Sequence, residues 1–123
     1  MGPDSVTIQA VTVSPSAVGD SGKMVLAREG NKFVHLALLI KADLKDIDVY
    51  DFQFVKDKAS KIGEEQNVGD NMADNSFFWS TQDPETKAAK EIRVKLSFQV
   101  PKQAQKGYLF YWGEYFGPVE FGN

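Results

Sequence analysis

Residues 91–121 read EIRVKLSFQVPKQAQKGYLFYWGEYFGPVEF, and this stretch decides the fold. Val94, Leu96, Phe98 and Val100 alternate with Arg93, Lys95, Ser97 and Gln99, the two-residue period of a strand with one buried face. A polar connection leads to a second strand over 108–112 that is apolar on both parities. Its two faces therefore meet different surroundings from those of its neighbour. The Tyr108/Phe110/Trp112 face is expected in the core, opposite Leu96 and Phe98. A last strand is broken by Gly117-Pro118. It reads as an edge, either open to pairing with another chain or blocked because Pro118 has no N–H to offer.

Upstream, Val6, Ile8 and Ala10 alternate with Thr7 and Gln9 before the apolar parity switches to Val11 and Val13, as a β-bulge near Ala10 would require. Residues 14–23, rich in Ser, Gly and Pro, read as a loop. Over 33–40, Val34, Leu36, Leu38 and Ile40 share one face while Phe33, His35, Ala37 and Leu39 share the other. That predicts a mid-sheet strand with something covering part of its second side. Another strand spans 49–55, with Tyr50, Phe52 and Phe54 on one parity. Residues 56–83 are polar and irregular, interrupted by the apolar island Phe77-Phe78-Trp79. Asp83-Pro84 suits a helix start, with Asp as N-cap and Pro at the first helical position, and 86–90 would carry a turn or two. Five to seven short strands with at most a short helical turn predict one all-β domain over 1–123, an antiparallel sandwich.

Composition narrows the function. The 123 residues suffice for one self-supporting domain. Seventeen acidic against 14 basic residues give a net charge of −3 with no basic run, which disfavours nucleic acid as a partner. With no cysteine, disulfides, thiolate metal sites and cysteine nucleophiles are excluded. The longest apolar run, 36–40, is strand-sized and too short to span a membrane. The start, Met-Gly-Pro-Asp-Ser, has no charged-then-apolar signal segment; it fits a native cytoplasmic start or, the reading preferred, a domain trimmed after a signal or lipid anchor.

No catalytic constellation stands out. HExxH, P-loop, GxGxxG and GxSxG patterns are missing, and His35, the single histidine, reads as a sheet residue rather than a base or ligand. A hydrolase built on two carboxylates would leave no local signature. The segment DNMADN at 70–75 offers Asp70, Asn71 and Asp74 as hard oxygen ligands for calcium. It lacks the glycine and terminal Glu of an EF-hand loop, and the alternative is a solvated loop in which Asn and Asp bond their own backbone. Asp43, Asp46, Asp48 and Asp51, interleaved with Lys41 and Lys45, read as a charged hairpin end. The aromatics lead elsewhere. Tyr111, Tyr115 and Trp79, left outside the core, would form a flat surface suited to sugar rings or a protein partner, and such binding would depend on Trp112 too. The alternative is a two-sided core covered by 77–79.

Three segments, GNKFVHLALLIKA, DVYDFQFVKDKASKIG and VKLSFQVPKQAQKGYLFYW, carry a resemblance over 28–116. In order and in the Phe-x-Val-Pro strand end, the chain resembles the immunoprotective extracellular immunoglobulin-like family, small sandwich domains of secreted bacterial proteins and lipoproteins. The Pro-Gly turn common before that strand is replaced by DPETKAAKEI. The resemblance implies an immunoglobulin-like sandwich of about seven strands and an extracytoplasmic location, with no catalytic residues and no cofactor. The expected function is a non-catalytic binding or protein-interaction module. The alternative is a carbohydrate or small-ligand domain using the strand 108–112.

Overall fold

The structure, a computed structural model, describes residues 5–18, 23–41, 51–61, 63–64, 67–82 and 89–122, apart from the side chains of 67–82 and 89–92. It is all-β and antiparallel, with strands β1 (Ser5–Ser14), β2 (Ser16–Val18), β3 (Met24–Leu26), β4 (Asn31–Lys41), β5 (Gln53–Val55), β6 (Asn67–Gln82), β7 (Ala89–Pro101), β8 (Lys106–Tyr111) and β9 (Glu114–Glu120). Seven of these form one sheet in the order β1-β4-β7-β6-β5-β8-β9, and β2 pairs with β3 in a separate ribbon. The edges β1 and β9 approach each other, yet no sheet closes into a barrel.

The long strand β6 holds the sheet together. Its first residues pair with β5, Phe54 opposite Gly69, and its remainder pairs with β7 from Asp70 opposite Gln99 onward. The sheet rolls so strongly across β6 that Phe54 on β5 stacks on Phe98 of β7, ring centroids 5.3 Å apart. One core results. Val34, Leu36, Leu38 and Ile40 of β4 and Val94, Leu96, Phe98 and Val100 of β7 meet Phe52, Phe54, Leu109, Tyr111 and Val119.

The alternation read on β1 and β4 is reproduced. The β1–β4 register shifts between Ile8 and Ala10, and Val6, Ile8, Val11 and Val13 all pack against the core, so the bulge restores the apolar residues to one face. β4 lies between β1 and β7 and is buried on both sides. Part of its second side is covered by the stretch read as a loop, which contains β2, and Ala17 there is buried. A buried lysine ties the end of the core. Lys32 Nζ donates to the carbonyls of Ala104 at 2.7 Å and Gly122 at 3.2 Å, and lies 5.2 Å from the Phe121 ring centroid.

Three expectations are corrected. β8 turns Leu109 and Tyr111 into the core, while Tyr108 and Phe110 belong to the other face. With both parities apolar, hydrophobicity could not choose; the decision falls on Gly107, which shares its parity with Leu109 and Tyr111. A Cβ there would stand 2.6 Å from Phe54 Cζ, so the Phe54 ring needs a bare backbone at that point. The irregular region is largely strand, because pairing with β7 outweighs its polar composition. Ala89 and Lys90, assigned to a helical turn, begin β7 instead. Residues 83–88 of that turn lie outside the described residues, as do Val49, Tyr50, Asp43, Asp46 and Asp48.

Phe54→Ala removes the ring that joins both halves of the core and is expected to cost about 3–5 kcal/mol. Gly107→Ala, which drives a methyl into the same ring, is expected to cost about 1–3 kcal/mol. Urea unfolding of the two variants measures both.

Candidate binding site

The lone histidine is engaged internally. His35 is buried on the second side of β4, with Nδ1 2.7 Å from Ser97 Oγ on β7 and Nε2 2.7 Å from Ser14 Oγ at the end of β1. Ser14 Oγ also lies 2.6 Å from the Ser16 carbonyl, to which it donates. A hydroxyl has one proton, so Ser14 receives its second bond from the imidazole. With Nε2 as donor, a neutral ring accepts the Ser97 hydroxyl at Nδ1, a tautomer inferred from the donors and acceptors around it. Beside it, the Gln99 side-chain oxygen accepts from the Arg28 backbone N–H at 2.7 Å and from Asn31 Nδ2 at 3.2 Å. These bonds explain how Ser97 and Gln99, polar residues of an alternating strand, come to be buried.

The segment offered for calcium is no loop. Asp70 to Asp74 pair in register with Gln99 to Lys95. Along an extended backbone, position 71 falls on the opposite parity from 70 and 74; the side chains offered as calcium ligands lie outside the described residues. The turn-forming composition of 70–75 suggested otherwise; the ladder with β7 decided it. Among the described residues no three His, Asp or Glu side chains gather. Trp79 falls on β6, paired with Arg93, and its side chain lies outside the described residues.

The aromatic strand divides sharply. Tyr111 is 1% exposed and stacks on Phe52 at 4.2 Å, so it is core and not surface. Trp112 is 62% exposed. On the outer face of β5, β8 and β9, Tyr115 contacts Phe110 at 4.8 Å and Tyr108 edge-on at 6.3 Å. The segment after β5 folds over part of this face. The Ala59 N–H donates to the Tyr115 hydroxyl at 3.0 Å, and Lys58 Nζ lies 5.6 Å from the Tyr108 centroid. The Tyr108–Tyr115 end is thereby partly covered, Phe110 beside it is buried at 9% exposure, and Trp112 stands open.

At the open end Asp51, Gln53, Phe110 and Trp112 line a shallow depression of about 290 Å³. Gln53 and Phe110 are cross-strand partners, so an amide and a ring stand side by side on rigid strands. Trp112 and Gly113 form the two-residue turn between β8 and β9, with φ of 51° and 83° and Tyr111 paired to Glu114 across it. Two positive φ values mark a type I′ turn, whose first position favours Asn, Asp or Gly. A tryptophan there is strained by about 1–3 kcal/mol. The sequence held two signals for this arrangement. Lys106 marks the solvent parity of β8, and Trp-Gly between two aromatic runs marks the turn. A larger cleft of about 640 Å³, lined by Lys56, Asp57, Gln103, Gln105 and Lys106 among others, has no aromatic wall among the described residues.

Compared with known proteins, the chain matches no family model, no curated protein and no solved structure.

Replacing His35 by Leu leaves two hydroxyls of the Ser14–His35–Ser97 chain without their ring partner, and is expected to cost about 2 kcal/mol; thermal melts measure it. Tyr111→Ser is expected to cost about 3–5 kcal/mol as a core truncation, whereas Trp112→Ser leaves the melt close to that of the parent. Equal losses in the two would contradict the assignment of Tyr111 to the core and Trp112 to the surface.

Proposed function

We propose that this chain is a non-catalytic, extracytoplasmic binding module of the immunoglobulin-like sandwich type, and that it binds through the open end of the β5–β8–β9 outer face. Strand order supports the fold. Lettered along the chain without the β2–β3 ribbon, the sheet order becomes A-B-E-D-C-F-G, the ABED and CFG sets of a constant-type sandwich laid end to end through β6. The resemblance carried by the segments 30–42, 48–63 and 94–112 supports the same family and, with it, a secreted or lipoprotein setting.

One observation carries the function: a large aromatic side chain is held in solvent by a backbone conformation that disfavours it. Scattered exposed apolar residues need no explanation, but strain that a commoner turn residue would relieve is a pointer to a surface role. The buried imidazole, engaged between two serines, is poorly placed to serve as a base for a substrate.

The strain at Trp112 and the third of its surface that it buries are of similar size and opposite sign. Trp112→Asn, which restores a favoured turn residue, is therefore expected to change stability by less than about 1 kcal/mol, or roughly 4 °C in Tm. A loss well beyond that makes Trp112 a structural residue and overturns this reading; differential scanning calorimetry decides.

A further inference from the structure

We infer that the depression at Asp51, Gln53, Phe110 and Trp112 binds one neutral pyranose ring of a saccharide. This inference rests on the binding-module reading above and names its ligand class. A pyranose offers two kinds of surface: a flat face of C–H groups, and a rim of hydroxyls that both donate and accept. Trp112, 62% exposed, supplies the aromatic face for the flat side of the sugar, and Phe110, 9% exposed, adds only the small part of its surface that reaches the depression. The rim needs paired acceptors and donors at a fixed separation. The Asp51 carboxylate accepts two hydroxyl protons, and the Gln53 amide donates through nitrogen and accepts through oxygen.

Size and charge narrow the class. A depression of about 290 Å³ lies at the small end for ligand sites, enough for a ring and far from the roughly 800 Å² that each partner gives to a standard protein interface. Among the described residues no basic side chain lines it, Asp51 does, and the chain carries a net charge of −3; uronic acids, sialic acids and sulfated sugars are disfavoured. Such a site is shallow. A dozen ring atoms at ordinary ligand efficiency give a Kd on the order of 1 mM, so useful affinity requires multivalent presentation on a polymer or a surface.

The test is a proton–nitrogen correlation titration of labelled protein with cellotetraose, chitotetraose, mannotetraose and xylotetraose, each up to about ten times the expected Kd. Trp112→Phe assigns the indole signals. The expected result is a saturable shift of the Trp112 indole N–H together with the Gln53 side-chain amide for at least one saccharide. Trp112→Ala should weaken binding by at least about tenfold, and Asp51→Asn by a smaller factor. No shift with any of the four, or a shift that survives Trp112→Ala, overturns the saccharide assignment. If that happens while Trp112→Asn keeps its stability, the surface reading stands and its ligand is not a neutral sugar. Trp112-dependent binding of a protein with the saccharides ignored has the same meaning. Collapse of Trp112→Asn removes the surface reading itself.

Discussion

The contact between the Phe54 ring and the bare backbone of Gly107 is the constraint on which the rest of this structure depends. A ring this close to a main chain admits no Cβ, so β8 has one acceptable orientation in which Gly107, Leu109 and Tyr111 face inward. The same ring stacks on Phe98, which fixes how far the sheet must roll across β6. One side chain therefore sets both the curvature of the sheet and the facing of its aromatic strand. Lys32, which reaches the Ala104 and Gly122 carbonyls, ties the connection before β8 and the tail after β9 back to β4 and holds that arrangement closed at its end.

The surface proposed for binding is a by-product of this orientation. With Leu109 and Tyr111 taken by the core, Tyr108 and Phe110 turn outward, and apolar rings on an outer face call for cover. The segment carrying Lys58 and Ala59 supplies it over Tyr108 and Tyr115. Phe110, packed against the Tyr115 ring, is itself buried, and Trp112 is left in solvent. The turn then adds a tryptophan at a position where an asparagine would be more comfortable, next to a carboxylate and an amide. Polar groups with planar, two-point geometry beside an exposed ring are the features on which the proposed recognition rests.

Much of this was legible in the residues. The alternation of β4 and β7, the bulge between Ile8 and Ala10, and the covered second side of β4 follow from patterns that only one arrangement satisfies, because a shift of one residue would move every apolar side chain to the wrong face. The facing of β8 was harder to read. Five apolar residues in a row carry no two-residue signal, and the deciding information is a long-range fit between Gly107 and a ring more than fifty positions earlier in the chain. β6 escaped for the opposite reason. Its Gly, Asp and Asn content speaks for turns, while its extended form comes from a thirteen-residue partner, β7. For the site, Trp112 was singled out with Tyr111 and Tyr115 as one cluster. The chain separates them into a solvent ring, a core ring and a half-covered one, a division that strand parity and the turn impose together.

Hydroxyl-radical footprinting with mass spectrometry tests the orientation of β8 most directly, since it reads the solvent exposure of adjacent side chains on one strand. The account predicts rapid oxidation of Trp112, comparable with exposed Met24, and strong protection of Tyr111 and Phe54. Rapid oxidation of Tyr111 with protection of Trp112 would contradict it and return the opposite face of the strand to the core.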